Sequence, residues 1–228
     1  MTTPTGSGPW PGVVVIHDVF GMSEDARNQC SWLADAGYLA VAPNLYSRGR
    51  TLPCIRQAFT DISNRTGPTF DTIEATRTWL AGRNDCTGRT GIIGYCMGGA
   101  FSLLMAPRRG FDASSVNYGQ VPEDASTLLA GACPVVGSFG SKDRTLEGAA
   151  DTLRAALDAN HVDHDVKEYP SAGHAFLNDH SGGPAILMRV LGPLMGGGYD
   201  HAAAQDAKAR IEAFFDRHLK STPPTPHS

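Results

Sequence analysis

Gly91-Ile92-Ile93-Gly94-Tyr95-Cys96-Met97-Gly98-Gly99 is the stretch that decides how this chain folds. An apolar run leads into it, and a helical pattern over Gly98–Pro107 leads out of it. Residues 94 to 98 read Gly-x-Cys-x-Gly, the spacing of a tight strand-to-helix turn with a nucleophile at its apex. The glycines have a steric cause. The apex residue takes a strained backbone conformation, and side chains two residues before and after it would collide. Such a turn lifts the sulfur above the end of the strand. It also aims the first N–H groups of the helix at the same point, where they favour a thiolate and a developing oxyanion. A free cysteine is more often a small buried hydrophobe. The apolar run before Cys96 and the helix after it set this one apart.

Outward from that turn, strands and helices alternate. Toward the amino terminus, Val13–His17 is a β-branched run that reads as a buried strand. Glu24–Ala36 reads as a helix with Ser23 as its N-cap and Gly37 as its stop. Tyr38–Ala42 is the next strand, ended by Pro43. Asn44–Pro68 is polar with little periodicity, and Thr69–Leu80 is a helix leading to the strand Thr90–Tyr95. Toward the carboxyl terminus come strands at Ser114–Tyr118 and Pro134–Ser138, a helix over Leu146–Asn160, a last strand at Val162–Tyr169 and a closing helix over Ala202–His218. Strands separated by helices imply right-handed crossovers and a parallel sheet. The expectation is one α/β domain, a three-layer α/β/α sandwich with a mainly parallel sheet of about six strands. Only Gly119–Cys133 separates the fourth strand from the fifth, too little for a cap domain. Ser181–Tyr199 is glycine-rich around an apolar stretch and fits either a flap near the site or a plain surface insertion. The Pro-rich tail Ser221–Ser228 is expected to fray.

The turn needs a base and an acid, and in such sheets these follow the nucleophile at the ends of later strands, acid first. Asp143 sits just past the strand Pro134–Ser138, whereas Asp151 and Asp158 fall within the following helix. His174 follows the last strand on a short loop, Tyr169-Pro170-Ser171-Ala172-Gly173-His174-Ala175-Phe176. The chain has 8 histidines, so position must choose among them. His161 and His164 lie at the wrong end of that strand, His218 on the closing helix, and His180 and His201 beside the glycine-rich segment. A second oxyanion donor is expected from the loop after the first strand, His17-Asp18-Val19-Phe20-Gly21. The two donors are then the backbone N–H groups of Val19 and Met97. Asp18 falls close to Cys96, where a carboxylate would oppose ionisation of a thiol by like-charge repulsion; the alternative is that it only braces the loop.

Composition bounds what else the protein can be. Its 228 residues suffice for one sizeable core, and a hydrophobic share of 41% is ordinary for a globular chain. A net charge of -4 without a basic run argues against nucleic-acid binding. The longest aliphatic run, Val13-Val14-Val15-Ile16, is too short to span a bilayer, and Met1–Gly12 lacks a signal-peptide pattern. A cytoplasmic location without membrane contact is the expectation. The 5 cysteines are odd in number, with no CxxC or metal-ligand spacing, so neither a disulfide framework nor a metal site is expected. Cys30 lies on a helix beside Trp32 and Leu33 and reads as core, whereas Cys54, Cys86 and Cys133 lie in or beside loops without the glycine turn. A monomer or weak homodimer acting on a small molecule fits these features.

The motifs at His17–Gly21, Gly94–Gly99, Asp143 and Ala172–Phe176 together resemble the dienelactone hydrolase family, over nearly the whole chain. The resemblance implies an α/β-hydrolase fold and a cofactor-free Cys-His-Asp hydrolase of cyclic enol-ester lactones. It also implies an acidic residue on the oxyanion loop that keeps the resting thiol neutral. The best-studied members carry glutamate there, and this chain has Asp18, one methylene shorter. Those members hold the substrate carboxylate with two arginines. One position, four residues after the base, is Asn178 here; for the other, Arg56 and Arg65 are both candidates. Arg56, Tyr118, Phe176 and Asn178 are the candidate substrate contacts. An amino-terminal hairpin of longer relatives is not expected. The function expected is hydrolysis of small esters or lactones through a thioester. A thioesterase or general carboxylesterase on the same residues is the alternative, and a catalytically silent binding protein is a third.

Overall fold

The sheet forms because β-branched and small apolar residues recur in short runs that can be covered on both faces. The computed structural model describes residues 1–47, 49–108, 110–179 and 195–220. Its elements in chain order are β1 (Trp10–Ile16), α1 (Glu24–Asp35), β2 (Leu39–Val41), α2 (Thr51–Asn64), α3 (Pro68–Ala81), β3 (Cys86–Tyr95), α4 (Met97–Met105), β4 (Ala113–Asn117), α5 (Ala125–Leu128), β5 (Val135–Gly140), α6 (Ala149–Ala159), β6 (His164–Tyr169) and α7 (His201–Phe215). The 6 strands stand in the order β2-β1-β3-β4-β5-β6. Every pairing is parallel. Alternation along the strands sorts the core. Val13, Val15, Ile93 and Tyr95 face the layer made by α1 and α7, with Leu33, Phe214 and Phe215. Val14, Ile16 and Ile92 face the layer of α2, α3 and α4, with Phe70, Ile73 and Phe101. The second layer continues over β4 and β5, where Leu103 meets Leu153 and Leu157 of α6. Both faces are thus buried, as a parallel sheet requires.

The expected elements are present, with differences at particular places. Ser23 caps α1 by accepting the Ala26 N–H at 3.2 Å. The polar stretch Asn44–Pro68 contains the full helix α2. Its periodicity is hard to see because its apolar side chains serve two sides. Ile55 and Ile62 pack on the core and Ala58 is buried, while Leu52 and Phe59 stay exposed. A buried carboxylate fastens its end: Asp61 accepts the Thr69 N–H at the start of α3 at 2.9 Å. β3 begins four residues before the expected Thr90, beyond a register shift opposite Trp10 and Gly12. Between β4 and β5 lies only the one-turn α5, so no cap domain is inserted there. Most of the glycine-rich segment, residues 180–194, and the tail 221–228 lie outside the described residues. No helix among the described residues is long and apolar enough to cross a membrane.

Candidate active site

The turn after β3 is as tight as its glycines require. Cys96 sits at φ 54°, ψ -115°, a conformation costly for any side chain. A Cβ at Gly94 would lie 1.9 Å from the Gly98 carbonyl oxygen, and one at Gly98 would lie 2.2 Å from that of Ile16. A Cβ at Gly99 would meet the Asn117 carbonyl oxygen at 2.6 Å. These approaches seat the first turn of α4 directly against the end of β1 and the end of β4. The Cys96 N–H donates to the Asn117 carbonyl at 3.1 Å, which fixes the apex. Cys96 is half-buried.

Two loops bring the expected acid and base, Asp143 and His174, together. Asp143 follows β5 and is 2% exposed; His174 follows β6 and is 6% exposed. The His174 Nδ1 and Asp143 Oδ2 are 2.5 Å apart. Asp143 Oδ1 accepts from the backbone and hydroxyl of Thr145, at 3.0 and 2.5 Å. Burial pushes the Asp143 carboxyl up, but the bonds from His174 and Thr145 outweigh it and hold it below the usual range. Burial likewise disfavours charge on His174, yet the hydrogen bonds to Asp143 and to Cys96 prevail and raise it to about 10. The imidazole thus has the Asp143 carboxylate as its side-chain hydrogen-bond partner at Nδ1. The His174 N–H donates to the Met195 carbonyl at 2.6 Å. A Cβ at Gly173 would lie 2.5 Å from the Gly196 backbone, so the described end of the glycine-rich segment packs on the base loop.

The oxyanion loop closes the other side. Asp18 is 5% exposed, and its Oδ1 accepts the Phe20 N–H at 2.8 Å, which turns the loop on itself. The Tyr46 hydroxyl lies 3.5 Å from the Asp18 carbonyl and 3.8 Å from Met97 Sδ, so one side chain spans this loop and the residue after Cys96. Met97 opens α4, so its N–H is one of the donors the helix cannot use internally. The Val19 N–H has no protein acceptor among the described residues.

The remaining candidates have other partners. Tyr118 is fully buried with φ 39°, and its ring lies 5.2 Å from that of His174. Phe176 is also fully buried, 5.6 Å from Tyr118 and 5.0 Å from Tyr169. Asn178 is 3% exposed and occupied at both ends: its Oδ1 accepts from the Tyr118 hydroxyl and its Nδ2 donates to Asp25. These bonds make it part of a buried network. It continues through Gln29 Nε2 to the Leu177 carbonyl at 3.0 Å and through the Tyr95 hydroxyl to Gln29 Oε1 at 3.0 Å. Arg65 forms a forked pair with Asp124 at 2.6 and 2.8 Å, and Arg56 stands exposed on α2. Sequence reasoning missed Asp25, Gln29, His17 and Tyr46. The first two look like ordinary polar residues of a helix, and nothing local marks their burial. No group of three His, Cys, Asp or Glu side chains among the described residues is placed to hold a metal ion.

Comparison with known proteins extends over the same elements. The profile described as "Dienelactone hydrolase family" matches residues 1–219. A Yersinia pestis protein named "Putative carboxymethylenebutenolidase" is 29% identical over 238 residues, covering 96% of this chain and 83% of that protein. A protein of the same name from Methylorubrum extorquens is 30% identical over 194 residues, 78% of this chain and 67% of its own length. Among solved structures, a "Putative Dienelactone Hydrolase" from Klebsiella pneumoniae superposes with a TM-score of 0.76 at 27% identity, covering 94% of this chain and 90% of that one.

Proposed function

The chain belongs to the dienelactone hydrolase family, within the α/β-hydrolases, and on that premise we propose that it opens small esters or lactones with Cys96 as nucleophile. The observation that carries the reading is the buried Asp143–His174 pair at 2.5 Å, on the loops after β5 and β6, together with Cys96 at the strained turn after β3. In this mechanism the Cys96 thiolate attacks the carbonyl carbon beside a protonated His174. The carbonyl oxygen takes the electron pair and is met by the N–H groups of Val19 and Met97. Collapse breaks the bond to the leaving oxygen, which takes the proton from His174. The acyl group is left on sulfur as a thioester. His174, now neutral, removes a proton from water, and the hydroxide attacks the thioester carbonyl. Acid leaves, and thiolate and imidazolium are restored. Asp143 holds the imidazole in one orientation throughout and stabilises its cation. Asp18 caps its own loop, and its charge favours return of the proton from His174 to the sulfur between turnovers, which holds down the reactivity of the resting thiol.

Asn178 bears on the substrate. At this position the resemblance expects an arginine for a substrate carboxylate, and here a neutral amide is bound to Tyr118 and Asp25. This favours esters and lactones without an obligatory free carboxylate, including the general carboxylesterase and thioesterase substrates. The test is turnover of nitrophenyl esters, thioesters and lactones, each with and without a free carboxylate, by the parent and by Cys96→Ala. The expected result is turnover of neutral esters by the parent alone. An inert parent, or an equally active Cys96→Ala, would overturn the reading.

A further inference from the structure

We infer that His17 and Tyr46 are positioning residues which aim one donor of the oxyanion hole by holding the far end of its peptide unit. This rests on the hydrolase reading above. The Val19 N–H and the Asp18 carbonyl belong to one planar trans peptide, so they point in opposite directions. Whatever holds the carbonyl oxygen therefore sets the direction of the N–H. The Asp18 oxygen is held on several sides. His17 Nδ1 lies 2.7 Å from it, the Gly21 N–H donates to it at 3.2 Å, and the Tyr46 hydroxyl lies at 3.5 Å. The same hydroxyl donates to the Val19 carbonyl at 3.2 Å, on the other peptide of that residue. The peptide before Val19 is thus held chiefly by His17 and Gly21 at the two ends of the loop, and the peptide after it by Tyr46 from outside.

The His17 ring cannot turn or exchange its tautomer freely. Its Nε2 accepts the Leu45 N–H at 3.2 Å, so Nδ1 carries the proton and is the donor to Asp18. The ring is 2% exposed and meets Tyr46 edge-on at 4.9 Å. Burial holds His17 below the ordinary histidine value, which keeps the imidazole neutral and this bonding pattern intact. Tyr46 in turn reaches the other donor's residue, with its hydroxyl 3.8 Å from Met97 Sδ. One strut therefore touches both residues whose N–H groups meet the oxyanion. Donation to the Asp18 carbonyl also polarises its peptide and strengthens the Val19 N–H as a donor.

The experiment separates a reaction that needs the oxyanion hole from one that does not. Hydrolysis of nitrophenyl acetate places charge on the carbonyl oxygen. Alkylation of Cys96 by iodoacetamide displaces iodide at a saturated carbon and does not. For His17→Leu the expected result is a fall in kcat of about tenfold or more, KM within about twofold, and an unchanged alkylation rate; loss of a whole oxyanion donor costs roughly 10²–10³. His17→Asn, which keeps a donor near the Nδ1 position, should recover part of kcat. Tyr46→Phe, which removes one hydroxyl at nearly constant volume, should lower kcat severalfold and keeps the test open if the His17 variants fold poorly. A kcat within twofold of the parent in Tyr46→Phe and His17→Leu would overturn the inference. So would alkylation falling in step with kcat, since that marks a general collapse of the site. Failure of the hydrolase reading looks different, because the parent itself would then turn over no ester.

Discussion

The two ends of the sheet are built from the same strands and differ in almost everything that matters to chemistry. At the carboxyl ends lie Cys96, Tyr118 and Ala175, three of the non-glycine residues with positive φ. Also there are the buried Asp18, Asp143 and His174. At the amino ends, positive φ at Arg65 and His161 belongs to turns that leave helices, and Asp85 and Asp163 are exposed or half-exposed. Cysteines make the same comparison. Cys96 follows β3 at a helix N-terminus beside His174. Cys133 precedes β5, is half-buried against two core clusters, and desolvation pushes its thiol up to about 12. Cys30, buried on α1, is raised by burial to about 11. One residue type is thus made inert or available by where the backbone puts it. Apart from Asp61, buried where it ties α2 to α3, the buried carboxylates named here gather at the carboxyl ends with the strained Cys96, as expected where a fold keeps its site.

The largest effect should come from exchanging the two thiols for alanine. Cys96→Ala is expected to lose turnover by about 10⁴-fold or more while remaining folded. Cys133→Ala should keep turnover within about twofold. Steady-state rates on a nitrophenyl ester check both, and comparable losses in the two variants would erase the contrast.

Glycines sharpen it next. Gly94→Ala drives a Cβ into the Gly98 backbone and is expected to cost about 3 kcal/mol or more in stability. Gly131, near the amino end of β5, also has positive φ, at 73°, but a Cβ there would meet nothing within 4 Å. Gly131→Ala should cost only about 1 kcal/mol, from backbone strain alone. Denaturant unfolding of both variants measures the difference.

Asp143→Asn breaks the pair that sets the site's charge. Turnover is expected to fall about 10²-fold or more. The His174 value lies above its unfolded value of roughly 6.5, so its contribution to stability is fully present below that pH and is lost as pH rises through about 10. Without the Asp143 carboxylate that window should close at lower pH. Tm against pH, with an NMR titration of His174, checks the direction; an unmoved His174 midpoint would show that Asp143 does not raise it. The smallest effect belongs to Asp18→Asn, which should raise the rate of Cys96 alkylation at neutral pH severalfold. A slower rate with lower turnover would assign Asp18 to bracing the loop alone.

How much of this was legible in the sequence follows the same division. The turn around Cys96 could be read because sterics demand glycine at fixed offsets, and local demands leave local marks. Asp143 and His174 could be placed because strand order fixes which loops reach that turn. α2 could not be read, since Leu52 and Phe59 interrupt its apolar face. The network of Asp25, Gln29 and Asn178 was invisible for another reason. Its two halves, Asp25 and Gln29 on α1 and Leu177 and Asn178 in the loop after β6, lie 148 or more residues apart along the chain, and only folding brings them together. His17 and Tyr46 were hidden in the same way, with Tyr46 in a stretch that carries no periodic signal.

The central claim is that the acyl group passes through the sulfur of Cys96. The most direct measurement is to quench turnover of a slow ester with acid and map the acyl mass to a peptide. The predicted result is one acyl group per chain on the peptide carrying Cys96, released by neutral hydroxylamine as a thioester is, and none in Cys96→Ala. An acyl group found on another residue, or continued turnover by Cys96→Ala, would contradict it.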